Sequence, residues 1–474
     1  MAHSRASCRW SRVARLLAGA MLCAALVAGF EARAQRTLSE TMALAYQTNP
    51  QLSAERARLR ASDEDVARAL GGWRPAVSVL GEYGRAKDNL STTVLGRTTN
   101  FDQYRNPARA ELSLRQPIYD GGRTPAEVER SEESVLRGRE LLRSTEQSVL
   151  LDAVVAHVAV YRDQRIVELD MDNLAAVKRQ REIVDRRRRV QDATETDVAQ
   201  AEVRLARAIS ELRLAQGNLE SSQSNYFRVV GAPAGPNLAA PPNSPGAPET
   251  LENARSRVKD NPDVNAALIL TRVASADIDV VRAGLLPNLS VRAGLRHADE
   301  LDTPEFTRDT AELIVSLTVP IYEQGIAAAQ TRGAKHTEGQ RRLEYRQTLD
   351  RAIDLINRTW ENLQTSRARL VSLQREITAG RIAVDAVEKE VRIGTRTTID
   401  LLDQLQELNS SEIAKARAEY DAVSASYQLQ ATVGQLSAKD LALAVEVYDP
   451  LAHYDKTRDR WFGTDIGVPY EKVE

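Results

Sequence analysis

The stretch "AELIVSLTVPIYEQG" (Ala311–Gly325) joins a β-strand pattern to a turn, and it decides how the chain is organised. Apolar and polar residues alternate up to the proline, which is the period-two pattern of a strand with one apolar face. The turn "PIYEQG" has a near copy, "PIYDGG", at Pro117–Gly122. Because the same strand-to-turn junction occurs twice, the sequence predicts an internally duplicated chain.

Further matches at long offsets extend the duplication over most of the chain. "NPQL" from Asn49 and "NPDV" from Asn261 lie 212 residues apart, whereas the two "PIY" turns lie 203 apart. The sequence therefore predicts two homologous halves, 37–231 and 249–440. A linker with six prolines, 232–248, joins them and is expected to be extended and semi-rigid, and a tail, 441–474, follows.

Each half is expected to contain an opening helix, two strands separated by a polar loop, and a very long helix. Nearly seventy helical residues would extend about 100 Å, at about 1.5 Å per residue. Between Leu370 and Val391 apolar residues alternate three and four apart, which is a heptad pattern. The expected ranges are about 38–71 and 250–284 for the opening helices, 75–86, 107–117, 287–298 and 309–320 for the strands, 87–106 and 299–308 for the loops, and 122–190 and 325–392 for the long helices.

Residues 1–34 are predicted to be a cleaved secretory signal peptide. Four arginines precede the short apolar run Leu16–Phe30, and "ARA" ahead of Gln35 fits a small-x-small cleavage site. Both cysteines, Cys8 and Cys23, lie inside this segment, so the mature chain is expected to hold no disulfide, thiolate metal site or cysteine nucleophile. Its net charge would be −6, and nothing in it suggests a nucleic-acid partner.

The four strands pose the question of what covers their apolar faces. No run of about 18 apolar residues follows the signal segment, so we expect a membrane to be entered with strands rather than helices. Strands in a bilayer must close into a barrel, and the smallest single-chain barrels use eight. Four strands per chain would therefore require an oligomer of two or three copies. The alternative is a soluble sheet packed on the helices, with Arg292 and Arg296 facing solvent.

The mature chain resembles the TolC family of outer-membrane channel-tunnel proteins over about residues 37–440. The motifs that carry the resemblance are "NPQL" and "NPDV", "QPIYDGG" and "VPIYEQG", and "GTRTTIDLLD" with "GQLSAKDL". The resemblance implies a homotrimer in which four strands per chain form a 12-stranded barrel in the outer-membrane lipid. Antiparallel helices would continue it as a long α-helical barrel in the periplasm. The α+β chain would thus be the exit duct of a tripartite export system.

The same resemblance implies the protein partners of this duct. A periplasmic adaptor, or membrane fusion protein, would dock on the periplasmic tip, at the turns that contain Thr194, Gly394 and Thr397. An inner-membrane pump of the ABC or RND type would supply the energy. The sequence does not decide between two kinds of cargo. These are drugs or other small molecules, and an unfolded protein secreted by a type I system.

The stretches "VQDATETDV" (Val190–Val198) and "VRIGTRTTIDLL" (Val391–Leu402) are predicted to be turns where the long helices reverse. Thr194 with Asp197, and Thr397 with Asp400, have the spacing of capping boxes. Gly394 is expected to supply the left-handed backbone that ends the preceding helix. The charged run Asp185–Arg189 just before the first turn is expected to be a solvated surface.

Acidic side chains near the second turn are candidates for a pore constriction. Asp400 and Asp403 are three residues apart, so they share a helix face, and in a trimer each would form a ring of three carboxylates. The family resemblance further implies a periplasmic gate in which Arg396 pairs with Asp197, with Thr196 adjacent. The best-known family members carry a tyrosine where this chain has Val391, so one hydrogen bond of the gate is expected to be missing.

Two other classes of function compete with the duct. Paired heptads alone would also fit an exported coiled-coil structural or adaptor protein without a pore. An enzyme is disfavoured, because the histidines are widely separated and the chain lacks "HExxH" and "GxSxG" motifs. No cofactor or metal is expected, and no mechanism follows from the tail.

Overall fold

The computed structural model describes residues 35–466, so the predicted signal peptide and the last eight residues of the tail lie outside it. The chain divides into two compact units. The first is made by the segment up to Ala45 with Asp152–Asn243 and Thr365–Ser424. The second is made by Tyr46–Leu151, Ser244–Gln364 and the segment from Ala425 onward. No helix among residues 35–466 has the length and hydropathy needed to cross a membrane.

The order of the elements repeats in the two halves, as the duplicated sequence predicts. The first half contains α1 (Leu38–Thr48), α2 (Pro50–Leu70), β1 (Ala76–Tyr83), β2 (Ala86–Val94), β3 (Arg97–Arg105), β4 (Ala108–Tyr119), α3 (Arg123–Arg189) and α4 (Glu195–Val230). The second contains α5 (Leu251–Ser256), α6 (Pro262–Arg282), β5 (Asn288–Asp299), β6 (Thr307–Thr318), α7 (Ile326–Arg392) and α8 (Thr398–Thr432), and the tail adds α9 (Ala452–Thr457). Helices α3 and α7 each run for 67 residues.

The opening helices are interrupted, which corrects the expectation of single helices over 38–71 and 250–284. In both halves the break falls at an Asn-Pro pair. The Asn49 side chain accepts hydrogen bonds from the backbone N–H groups of Gln51 and Leu52, and Asn261 does the same for Asp263 and Val264. Asparagine is a favoured N-cap and proline a favoured first helical residue, so each "NP" motif starts a new helix.

The predicted polar loop at 87–106 is instead a β-hairpin of β2 and β3, paired from Ala86↔Arg105 to Val94↔Arg97. It forms a two-stranded sheet of its own. Its two-residue turn places Leu95 at φ 50° and Gly96 at φ 78°, the left-handed geometry that matches the twist of two adjacent strands. The loop at 299–308 is shorter than expected, because β5 and β6 extend to Asp299 and from Thr307.

The other four strands form one antiparallel sheet in the order β1-β4-β5-β6. Their register places Val79, Leu112, Leu295 and Ala311 side by side on one face. Val79 is 79% exposed and Leu295 58%, so residues 35–466 of one chain leave this apolar face uncovered. On the other face Glu111 forms ion pairs with Arg109 and Arg296. One apolar and one charged face is the pattern of a membrane-barrel strand, and it argues against a sheet packed on the helices.

Packing between the helices relies on small and aliphatic residues, and each unit has its own core. In the second unit Ile356, Leu363 and Leu429 belong to one buried cluster. In the first, Ala201, Ala208 and Ala215 of α4 are buried at seven-residue spacing. This is a heptad seam of small side chains, which allows close helix approach.

Residues of the first unit tie the N-terminal part of the linker to the helices. Arg36 forms a parallel β-bridge with Leu238. The Thr41 hydroxyl contacts Nδ1 of His157 at 2.8 Å and the Tyr226 hydroxyl at 3.0 Å, while Nε2 of His157 lies 3.2 Å from the Ala239 carbonyl oxygen. Burial lowers the pKa of His157. A neutral imidazole suits this site, since both ring nitrogens have a partner without a net charge.

Candidate functional site

The first helix turn ends α3 with a Schellman motif, in which backbone N–H groups beyond the helix bond back to its last carbonyls. The Gln191 N–H donates to the Arg188 carbonyl at 2.9 Å, and the Asp192 N–H donates to the Arg187 carbonyl at 2.8 Å. Gln191 takes the left-handed position with φ 62°. A glutamine here carries the steric cost that a glycine avoids.

The second turn repeats this motif at the end of α7. The Gly394 N–H donates to the Val391 carbonyl at 3.2 Å, and the Thr395 N–H donates to the Glu390 carbonyl at 3.0 Å. Gly394 has φ 82°, as the sequence predicts, and it lies 203 residues after Gln191. The repeat offset therefore identifies Gln191 as the equivalent position, a signal that the sequence reading did not use.

Both predicted capping boxes are present. The Asp197 N–H donates to Oγ1 of Thr194 at 3.2 Å, and the Thr194 N–H donates to Oδ2 of Asp197 at 2.8 Å. The same two bonds join Asp400 and Thr397, at 3.2 and 3.0 Å. These reciprocal bonds satisfy N–H groups that the start of a helix leaves free, so the threonines and aspartates position α4 and α8.

The capping hydrogen bonds also fix the charge of the two aspartates. The pKa of Asp197 is lowered first by the backbone N–H of Thr194, and that of Asp400 is lowered first by the Thr397 hydroxyl. Both carboxylates accept hydrogen bonds, and these bonds stabilise the ionised form. They therefore keep a negative charge at the turns throughout the neutral and mildly acidic range.

The gate residues expected from the family resemblance all lie at these turns, but the chain does not bring Arg396 and Asp197 into contact. Arg396 places Nε 3.2 Å from Oε2 of Glu390, within its own turn. Thr196 is exposed in the first turn of α4. Among residues 35–466 Glu390 is thus the acidic partner of Arg396, and the sequence reading missed it.

Asp403 contacts the other half of the chain. Its carboxylate forms an ion pair with Arg204 of α4, while Asp400 one turn earlier is held by Thr397. Leu402, between the two acids, is buried in a cluster with Val184 and Ala201. These contacts place the turn at the start of α8 beside the hairpin of α3 and α4, and Arg204 is a second residue that the sequence reading missed.

Further polar contacts lie deeper in the same unit. The Asn409 side chain donates to Asp170 at 3.2 Å, and both residues are buried. Burial raises the pKa of Asp170, and the bond from Asn409 opposes this shift. Arg381 of α7 donates to Glu412 of α8 at 2.7 Å. The helices near the turns are therefore joined by specific polar pairs as well as by apolar packing.

The charged run before the first turn is largely engaged in local ion pairs. Arg187 bonds to Asp192 through Nε at 2.8 Å, and Arg188 pairs with Glu195. Surface pairs of this kind contribute little stability. The run behaves as the solvated surface that the sequence predicts.

Comparison with known proteins identifies the family of this chain. The family described as "Outer membrane efflux protein" matches residues 42–232 and 254–435, one segment in each half. The chain belongs to this family. The outer membrane efflux protein BepC of Brucella suis is 33% identical over 94% of this chain and 96% of its own.

More distant relatives and a solved structure agree with this assignment. The alkaline protease secretion protein AprF of Pseudomonas aeruginosa is 23% identical over 84% of this chain and 85% of its own. The crystal structure of the Campylobacter jejuni CmeC outer membrane channel superposes with a TM-score of 0.75, at 16% identity and with 89% of each chain covered. The likeness to CmeC concerns the fold.

Membership of the family fixes the class of protein and its place in the cell. The chain is an outer-membrane efflux channel of the TolC type, and its helical part extends into the periplasm. It acts as a homotrimer that exports substrate together with a periplasmic adaptor and an inner-membrane pump. The exported coiled-coil protein without a pore is thereby set aside.

Proposed function

We propose that this channel is a passive duct for small molecules, that it catalyses no reaction, and that it closes at the two helix turns. The observation that supports the closure is the proximity of the turns. Leu402 packs against Val184 and Ala201, and Asp403 pairs with Arg204, so residues of both turns lie in one region of the first unit. In a trimer this region would occur three times around an axis.

The acidic side chains at this region give the proposed constriction its selectivity. Asp400 is ionised and held by its capping box, and Asp403 follows one helix turn later. Three copies of each would form two rings of carboxylates. Rings of carboxylates in a narrow pore favour cations over anions. The proposed closed end is therefore a cation-selective constriction.

Arg396 would form the latch by exchanging one carboxylate for another. It now contacts Glu390, and the proposed closed state pairs it with Asp197 near Thr196. The exchange conserves one ion pair, so the two states differ by little free energy, as a gate requires. Val391 offers no hydroxyl at the position where the best-known family members have tyrosine, which favours easier opening.

Small molecules are the proposed cargo because the efflux protein BepC is more similar to this chain than the secretion protein AprF is. BepC shares 33% identity over 94% of the chain, whereas AprF shares 23% over 84%. The experiment is deletion of the gene, followed by measurement of dye accumulation and drug susceptibility and by analysis of the culture supernatant. We expect the deletion strain to accumulate dye and become drug-susceptible, with an unchanged set of secreted proteins. Loss of a secreted protein with unchanged dye accumulation would contradict the proposed cargo.

A further inference from the structure

The tail beyond the second half docks against the second unit through helix α9. The Tyr454 hydroxyl lies 3.3 Å from Oε1 of Glu132, and Arg458 donates to the same oxygen at 3.0 Å. Nε2 of His453 lies 3.5 Å from Glu64 of α2. Residues 453–458 of the tail are therefore held at a defined place.

Arg74 connects residues 460 and 461 of the tail to the sheet. This residue lies two positions before the start of β1 at Ala76. Its Nη1 donates to the Arg460 carbonyl at 2.8 Å, and its guanidinium carbon lies 4.8 Å from the centre of the Trp461 ring. Arg74 thus places Trp461 at the end of the sheet where the helices lead into the strands.

Trp461 and Phe462 stay exposed although they are held in place. Trp461 is 57% exposed and Phe462 is 85% exposed, and their ring centres are 6.4 Å apart. Nε of Arg460 donates to the Phe462 carbonyl at 3.1 Å, which fixes the backbone between the two rings. The residues present a pair of uncovered aromatic rings next to the first strand.

Other large apolar side chains are exposed at the same end of the sheet. The register pairs Ala76 with Arg115 and Asn288 with Thr318, so these strand ends share one edge. Exposed residues lie within four positions of all four strand ends there: Trp73, Ile118, Tyr119, Leu286, Ile321 and Tyr322. Aromatic side chains concentrate at membrane–water interfaces, where one part of the ring system meets lipid and another meets water. Trp461 and Phe462 extend this band with residues from outside the sheet.

We propose that Trp461 and Phe462 form an interfacial anchor that enters the periplasmic leaflet of the outer membrane, with its glycerophospholipids as the partner. The anchor ties the C-terminal tail to the membrane beside the barrel. Continuity with the band at the strand ends favours lipid over a soluble partner. The cation–π contact with Arg74 supplies the rigid connection, and the polar Arg460 backbone stays on the water side.

Depth-dependent fluorescence quenching in proteoliposomes tests the anchor with the full chain. Replacing Trp10, Trp73 and Trp360 with Phe leaves Trp461 as the single tryptophan. The trimers are reconstituted in phospholipid with bromine near the headgroup or near the chain ends. We expect an about twofold loss of Trp461 emission with the shallow bromines and a weaker loss with the deep ones. Trimers that show the same emission with and without bromine would overturn the proposal.

Two controls separate lipid contact from other causes. A chain with Trp360 as the single tryptophan serves as the unquenched reference, because Trp360 packs against a core cluster of the second unit. Blue-shifted but unquenched Trp461 emission would place the ring against protein, such as a neighbouring copy, and would also overturn the proposal. Phe462→Ser is expected to weaken the quenching of Trp461. Phe306→Ser, which removes an exposed Arg-contacting aromatic at the opposite end of the sheet, is expected to leave it unchanged.

Discussion

Arg204 and Asp403 form an ion pair between the two halves of the chain, beside the turns where the long helices reverse. Asp403 is still about half exposed in this pair, with 51% of its side chain accessible. The arginine offsets the charge of one of the two carboxylates proposed for the constriction. Among residues 35–466 Asp400 accepts hydrogen bonds from the Thr397 hydroxyl and amide and forms no ion pair, and the nearby charge of Arg396 further favours its ionised form.

Removing Arg204 is therefore expected to make the channel more cation-selective. In Arg204→Ala trimers the Asp403 ring loses its counter-charge. We therefore expect the reversal potential measured in a salt gradient to shift toward the equilibrium potential of the cation. The double variant Arg204→Ala/Asp403→Asn should lose this gain. Arg381→Ala is the matched control, because it breaks a comparable pair with Glu412 farther from the turn. Equal shifts in Arg204→Ala and Arg381→Ala would contradict the role of Asp403.

Substituting the left-handed residue is expected to stabilise the first turn and to destabilise the second. Gln191 bears a left-handed backbone that costs about 1 kcal/mol in a non-glycine residue, so Gln191→Gly should stabilise the first turn. Gly394→Ala should destabilise the second turn by about the same amount, because space for the added methyl is open and only backbone strain remains. Hydrogen exchange of the Asp192 and Thr395 amides should slow and accelerate, respectively, by about fivefold.

Gly217→Ala is the control for these two substitutions. Gly217 lies inside α4, and an added methyl would meet nothing within 4 Å. Alanine favours a helix over glycine by about 1 kcal/mol, so this variant should stabilise α4 without changing the exchange of Asp192. Faster exchange in Gln191→Gly would show that the glutamine side chain stabilises the turn instead.

The buried carboxyl group of Asp63 is expected to make the stability of the second unit depend on pH. It is fully buried in α2, and neither carboxylate oxygen has a hydrogen-bond partner among the described residues. Burial raises the pKa of Asp63 to about 6, although Arg139 and Arg60 oppose the shift and Glu64 adds to it. The folded state thus binds the proton more tightly than the unfolded chain. The contribution of Asp63 to stability is greatest below about pH 4, falls up to about pH 6, and stays low above it.

Asp63→Asn should remove this pH dependence. The amide keeps the shape of the carboxyl group and carries no charge. We therefore expect the free energy of unfolding of Asp63→Asn to exceed that of the natural chain at pH 8, by at most about 3 kcal/mol, and to change little near pH 4. Circular dichroism melting of the trimer at both pH values measures the effect. Asp65→Asn is the control, because the side chain of Asp65 is 45% accessible and pairs with Arg68. A lower melting temperature of Asp63→Asn at pH 8 would show that the carboxylate is compensated by the nearby arginines.

Features set by neighbouring residues were predictable from the sequence. Period-two alternation located β5 and β6, and the Thr-x-x-Asp spacing located both capping boxes, because these patterns depend on residues within one turn or strand. The Asn-Pro breaks at Asn49 and Asn261 were equally local and could have been found from the preference of asparagine for N-caps.

Other features depend on information that short patterns do not carry. In the β2–β3 hairpin the apolar pair Leu90 and Phe101 shares its face with charged and polar residues, and the turn uses Leu95 with Gly96 rather than the usual Asn-Gly pair. Arg204 and Asp403 are 199 residues apart in sequence. Only the packing of α4 beside α8 brings them together. Glu390 is only six residues from Arg396, but which acid the arginine contacts depends on the backbone geometry of the turn, which the sequence pattern does not specify.

The most direct test of the proposed duct is the single-channel conductance of purified trimers in planar lipid bilayers. We expect discrete, cation-selective openings from the natural chain, and a larger conductance for both Arg396→Ala and Asp197→Ala, because each removes one side of the latch. Arg392→Ala, which removes a pair with Glu388 on the same helix end, should behave like the natural chain. Inserted trimers that conduct no ions would contradict the duct, and unchanged conductance in both latch variants would contradict closure by Arg396 and Asp197.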